Sequence, residues 1–129
     1  MAVTHSTAAR NAATDAVTAL IAASGRLRFR LSGTVGAPGT SVANLALSAT
    51  AFAASASGTA TANAITSDTN AAGNASPVAT ATLETSGGTV VIHCAVAASA
   101  SDINMTNGLT VSAGDTVSCS SLTYTALSA

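Results

Sequence analysis

Nine charged side chains in 129 residues, four arginines and five acids with a net charge of −1, make this chain 7% charged, where a soluble domain averages about a quarter. The balance argues against the basic surface of a nucleic-acid binder, and the absence of an eighteen-residue apolar run argues against a membrane-spanning helix. Free small proteins use surface charge to stay soluble and apart. A chain without it is expected to spend its life against other protein.

The length fits one domain, read as a helical segment at 1–24 followed by a β-sandwich domain at 25–129. Thr7 is placed to cap a helix over residues 8–23, which hold neither proline nor glycine. Ala9, Ala13, Val17, Leu20 and Ile21 fall on one stripe, and Arg10, Thr14 and Thr18 on another. The apolar C-terminal end is therefore expected to dock on the domain. Gly25 stands where a left-handed residue ends a helix.

After Gly25 the period changes to two. Arg26-Leu27-Arg28-Phe29-Arg30-Leu31 alternates strictly, as a half-buried strand does. A Gly- and Pro-rich turn at 32–39 leads to a strand at about 42–49, and strands at 52–56 and 58–66 follow. Residues 67–76 read as a polar loop. A strand at 78–85, the hairpin signal Ser86-Gly87-Gly88 and a strand at 89–97 come next. Short strands at 103–105 and 109–112 precede a last one at 116–127. About eight short strands with regular turn signals predict a mainly β chain, an antiparallel sandwich or jelly roll behind one N-terminal helix. Large apolar side chains are few and alanine buries little area, so the core is expected to be thin.

The residues offer little chemistry. His93 and Cys94 are neighbours in a strand and point to opposite faces, which argues against a Cys/His nucleophile pair. Asp68, Asp102 and Asp115 fall at turns or strand ends, where a carboxylate accepts local backbone N–H groups. Zinc spacings, EF-hand spacing and phosphate loops are absent, so no catalytic residue, cofactor or metal is expected. The start Met1-Ala2-Val3-Thr4-His5-Ser6 lacks the basic and apolar run of a secretory leader, so cytosolic synthesis with Cys94 and Cys119 reduced is expected. The patterned charge is Arg26, Arg28 and Arg30, three like charges on one face of a strand. They read either as a face answered by Glu84 or another acid across the sheet, or as a docking stripe for an acidic partner.

An alanine-rich helix with Ala-Arg-Asn-Ala at 9–12 runs into Leu-Arg-Phe-Arg-Leu-Ser-Gly at 27–33. Leu45-Ala46-Leu47-Ser48, Ala51-Phe52, Asn63-Ala64-Ile65-Thr66-Ser67-Asp68 and Ser101-Asp102-Ile103-Asn104 follow, and residues 117–125 close the pattern. This order resembles small virion structural proteins of tailed bacteriophages. The resemblance implies a non-enzymatic capsid cement or decoration protein, made in the host cytoplasm and carried on the capsid surface. Its partners would be the major capsid protein and copies of itself, in a trimer or dimer. Arg26, Arg28, Arg30 and Arg10, with Val17, Leu20 and Ile21 of the helix, are the expected contact residues. A tail or head–tail connector component is the alternative reading, and a surface adhesin or binding module the third.

Overall fold

A computed structural model describes residues 3–127, including a helix and seven strands. The helix α1 (Thr7–Ile21) is capped by Ser6, one residue before the expected Thr7. The Ser6 hydroxyl accepts from Ala9 N at 3.1 Å, which satisfies one of the orphan amides of the first turn. The helix stops at Ala22, and Gly25 is not left-handed. Gly25 is needed for close approach: a Cβ there would lie 2.4 Å from Ile21 Cγ2 and 2.6 Å from the Glu84 carbonyl oxygen.

The strands are β1 (Arg26–Arg30), β2 (Ser41–Ala46), β3 (Thr59–Thr61), β4 (Thr80–Glu84), β5 (Val90–Ala97), β6 (Ile103–Asn104) and β7 (Thr123–Thr125). Five of them form a sheet in the order β2-β1-β4-β5-β6, and β3 pairs with β7 in a second, two-stranded sheet. The chain is thus mainly β with one helix. The large sheet is mixed, because β6 runs parallel to β5. That differs from the all-antiparallel expectation, and it arises because residues 98–102 carry the chain back beside β5 without a hairpin.

β1 lies inside the sheet, so its alternation is read on both sides. Leu27 faces Leu45 of β2 and Leu83 of β4, while Phe29 faces Ala43 and Ala81. These residues are buried together with Ile21, Val42 and Val78. Much of the remaining core is alanine and valine, including Ala51, Ala60, Ala71, Val111 and Val117, so each position removes little apolar area from water.

Two expected strands do not form ladders, and a third does so only in part. Residues 52–56 contribute isolated bridges, and 109–112 forms no strand. The last strand, expected over 116–127, is regular only at β7. Backbone hydrogen bonds hold these parts nonetheless. Segments 68–78 and 109–117 run antiparallel, joined by Asp68 N to Val117 O (2.9 Å), Ala71 N to Asp115 O (3.0 Å), Asn74 N to Val111 O (2.8 Å) and Val78 N to Leu109 O (2.8 Å). The bonds recur at intervals of two to four residues, too irregularly for a ladder. Glycine, serine and asparagine recur in these stretches beside Pro77, and they favour turns over a continuous pleat.

Helix α1 is latched to the β part through its polar stripe. The Thr14 hydroxyl donates to Gly58 O at 2.6 Å and accepts from Ala126 N at 3.1 Å. Asn11 Oδ1 accepts from Gly58 N at 2.7 Å, Asp15 Oδ1 from Ser55 N at 2.9 Å, and Arg10 Nη1 donates to Ser57 O at 3.2 Å. Thr14, Thr18 and Ile21 are buried, while Leu20 is 62% exposed. This corrects the expected docking stripe. Alanine offers little area, so hydrogen bonds to a turn decide which face turns inward. The helical segment and the β part therefore share one set of contacts; the outermost residues of the two expected spans lie outside the described residues.

Candidate functional site

The arginine stripe occupies the face of the large sheet opposite Leu27 and Phe29. Across β4 it meets Thr82 and Glu84, and beyond them His93 on β5. Glu84 is fully buried. Its Oε2 accepts from Arg30 Nη2 at 2.7 Å and from the Thr82 hydroxyl, and its Oε1 lies 3.6 Å from Arg28 Nε. Arg30 is itself only 6% exposed, and donates further to Thr82 Oγ1 and to the Gly39 carbonyl oxygen. The turn after β1 thus folds over the end of the stripe.

The expected contact residues separate into two groups. Arg30 and Ile21 are spent inside the chain, and neither presents a surface to a partner. This is a correction with a plain cause. Arg30 sits between two ladder strands beside the one glutamate of the chain, and Ile21 faces the close approach at Gly25. Arg28 keeps about a quarter of its side chain in water. Arg26, Arg10 and Val17 are half-buried, and Leu20 is exposed.

Arg28, Arg30 and Glu84 answer one another, and Arg10 and Asp15 hold the turn at 55–57. Asp68 Oδ2 accepts from Asn44 N, Asp102 Oδ2 from Ala95 N and Asp115 Oδ2 from Ser112 N, each at 2.9 Å. Eight of the nine charged side chains are therefore engaged by the chain's own groups, and among the described residues Arg26 is the exception. The turn positions of Asp68, Asp102 and Asp115 were legible from the residues around them. The buried state of Glu84 was not, because a lone glutamate in a Thr-rich strand gives no sign of which side will cover it.

Two concavities stand out among the described residues. A cleft of about 690 Å³ opens between segments 102–111 and 115–123, with Phe29 at its wall and Asp102, Asn104, Asp115 and Cys119 along it. Both carboxylates in it already accept backbone amides. Among the described residues no three His, Cys, Asp or Glu side chains are grouped as a metal site. Burial pushes the Cys119 thiol above its ordinary value, although a hydrogen bond with the Ser121 backbone acts the other way. Burial, and the Asp102 charge after it, pushes Cys94 up to about 11. Neither thiol is activated, since the thiolate is the reactive form. A smaller groove of about 340 Å³ runs between Ala19–Ala23 of the helix end and segment 49–54, lined chiefly by alanine and Phe52.

His93 and Cys94 lie on opposite faces, His93 beside Thr82 and Cys94 against the core. His93 Nε2 is buried without a hydrogen-bond partner. No helix among the described residues is long and apolar enough to cross a membrane. Compared with family models, curated proteins and solved structures, the chain matches none.

Proposed function

We propose that this chain is a non-enzymatic structural subunit, a cement or decoration protein that binds and stabilises the assembled head lattice of a tailed phage. One observation supports the structural reading: eight of the nine charged side chains are engaged by the chain's own groups, and although Asp102 and Asp115 stay exposed, the rest of the surface is chiefly small neutral side chains. Such a surface loses little solvation on being covered, and desolvating unpaired charge is the main penalty in closing a polar interface. The sequence resemblance supports the choice of a virion as the assembly. The sandwich or jelly-roll description belongs to the same proposal.

The mechanism is mass action. A subunit that binds only the assembled shell stabilises that state. Many modest contacts per particle add through multivalency. The major capsid protein and further copies of this chain are the partners, and the capsid surface the location. Leu20, which is exposed, and Arg26, Arg28, Arg10 and Val17, which are half-buried, are the expected contact residues that keep some surface. Particles assembled without the chain should release DNA at a lower temperature and under milder osmotic shock than complete particles. Equal resistance of the two preparations would refute the role.

A further inference from the structure

The link from α1 to β1 is strained. Ala22 stands at φ 58° and ψ −157°, and Ser24 at φ 59°. The first conformation belongs to a region that glycine alone occupies freely, and a positive φ of the second kind crowds a Cβ against the following carbonyl oxygen. Gly25 lies in the same link and takes neither position. Ala22, Ala23 and Ser24 are all exposed, so burial of their own side chains does not offset the strain.

The docking of α1 is what holds the link closed. Of Val17, Leu20 and Ile21, only Ile21 is fully buried. The rest of the seat is polar: Asn11, Thr14 and Asp15 bond with Gly58, Ala126 and Ser55. The receiving groups, Ser55 N, Gly58 N, Gly58 O and Ala126 N, all belong to the β part. That seat accepts α1 on the same terms whichever copy of the chain supplies it.

We propose that two copies of this chain exchange α1, each helix docking on the β part of the other, with residues 22–25 as the hinge. Every bond of the seat is kept. Each hinge opens into an extended link in which Ala22 and Ser24 take negative φ, so the strain of the closed form is released twice per dimer. That release offsets part of the cost of association, and short hinges under strain favour such exchange. Residues 22–25, fully extended, span at most about 14 Å, so the two copies meet at this end of the fold. Leu20 is exposed there, and Ala49, Ala51 and Phe52 line the groove beside the helix end, which gives the copies apolar surface to share. A twofold axis between the hinges makes both exchanges equivalent. The exchange does not rest on the decoration reading, because it concerns the isolated chain.

Sedimentation and light scattering of the purified full chain test it, together with isotope-filtered NOE spectra of protein refolded from equal parts of labelled and unlabelled chain. A concentration-dependent dimer is expected, in which the contacts of Thr14 with Gly58 and Ala126 run between chains. Ala22→Gly relieves the closed hinge and gives no such gain to the extended one, so it should raise the dimer dissociation constant about tenfold or more. Ser24→Pro fixes φ near about −65°, which forbids the closed hinge at φ 59° and should leave the chain dimeric at every concentration. The test stands even where the proline variant does not fold, because the parent chain and Ala22→Gly decide it. A parent chain that stays monomeric at every concentration overturns the proposal. So does a dimer whose Thr14 contacts stay within one chain, or an Ala22→Gly variant that dimerises as tightly as the parent.

Discussion

Glu84→Gln is the perturbation that most directly probes how the charges are held. Glu84 is 0% exposed, and its carboxylate answers Arg30, itself 6% exposed, with Arg28 Nε 3.6 Å from the second oxygen. The amide keeps the shape and removes the charge, so Arg30 is left as a buried cation with no counterion. Removing one partner of a buried pair costs about 3–5 kcal/mol, out of the roughly 5–15 kcal/mol that holds a domain together. With a urea slope of about 1–3 kcal/mol per M, the midpoint should fall by at least about 1 M. Arg26→Ala is the internal control, since Arg26 has no partner among the described residues, and should stay within about 0.5 kcal/mol of the parent. The double variant Arg30→Met, Glu84→Leu should recover most of the loss, because a well-packed apolar pair replaces a buried ion pair at little cost. Urea denaturation followed by far-UV circular dichroism reads all three. A Glu84→Gln midpoint equal to that of Arg26→Ala would refute the internal pairing of the stripe.

Thr14→Val should cost about 2–4 kcal/mol, because Gly58 O and Ala126 N both lose their partner. Hydrogen exchange should then quicken in α1 before the large sheet responds. Ile21→Ala should cost about 2–5 kcal/mol, whereas the neighbouring Leu20→Ala, at an exposed position, should stay within about 0.5 kcal/mol; thermal melts separate them. The Cys94 thiol is held neutral in the fold, raised from 9.0 to about 11 by burial and then by Asp102. Its folded value lies above the unfolded one, so its contribution to stability is complete below pH 9.0 and is lost as pH rises toward about 11. Urea midpoints taken across that window should decline, and part of the decline should vanish in Cys94→Ala.

The helix and the first strand were legible because their signals are local. Ser6 and Thr7 are adjacent hydroxyl residues before an alanine run, and Arg26 to Leu31 alternates without a break. The inward face of α1 was not legible. Periodicity ranks Ala9, Ala13 and Leu20 above Asn11, Thr14 and Asp15, yet the latter meet a turn 40 to 47 residues away that offers Ser55 N, Gly58 N and Gly58 O. Nothing near the helix in sequence announces those groups. The strands after residue 97 blurred for a related reason. Backbones there are satisfied through long-range bonds such as Val117 N to Asp68 O and Gly114 N to Ala71 O, and those leave no period of two. The arginine face was visible as a pattern, but its depth depended on where the turn at 32–39 and Glu84 would fall.

Copy number bears most directly on the claim that this neutral surface exists to be covered on an assembled head. Quantitative mass spectrometry of purified complete particles would give the ratio of this chain to the major shell protein. A decoration subunit predicts a fixed ratio that scales with the number of shell subunits and holds after stringent washing. A ratio no larger than a single portal or tail ring, or loss of the chain on washing, would contradict it.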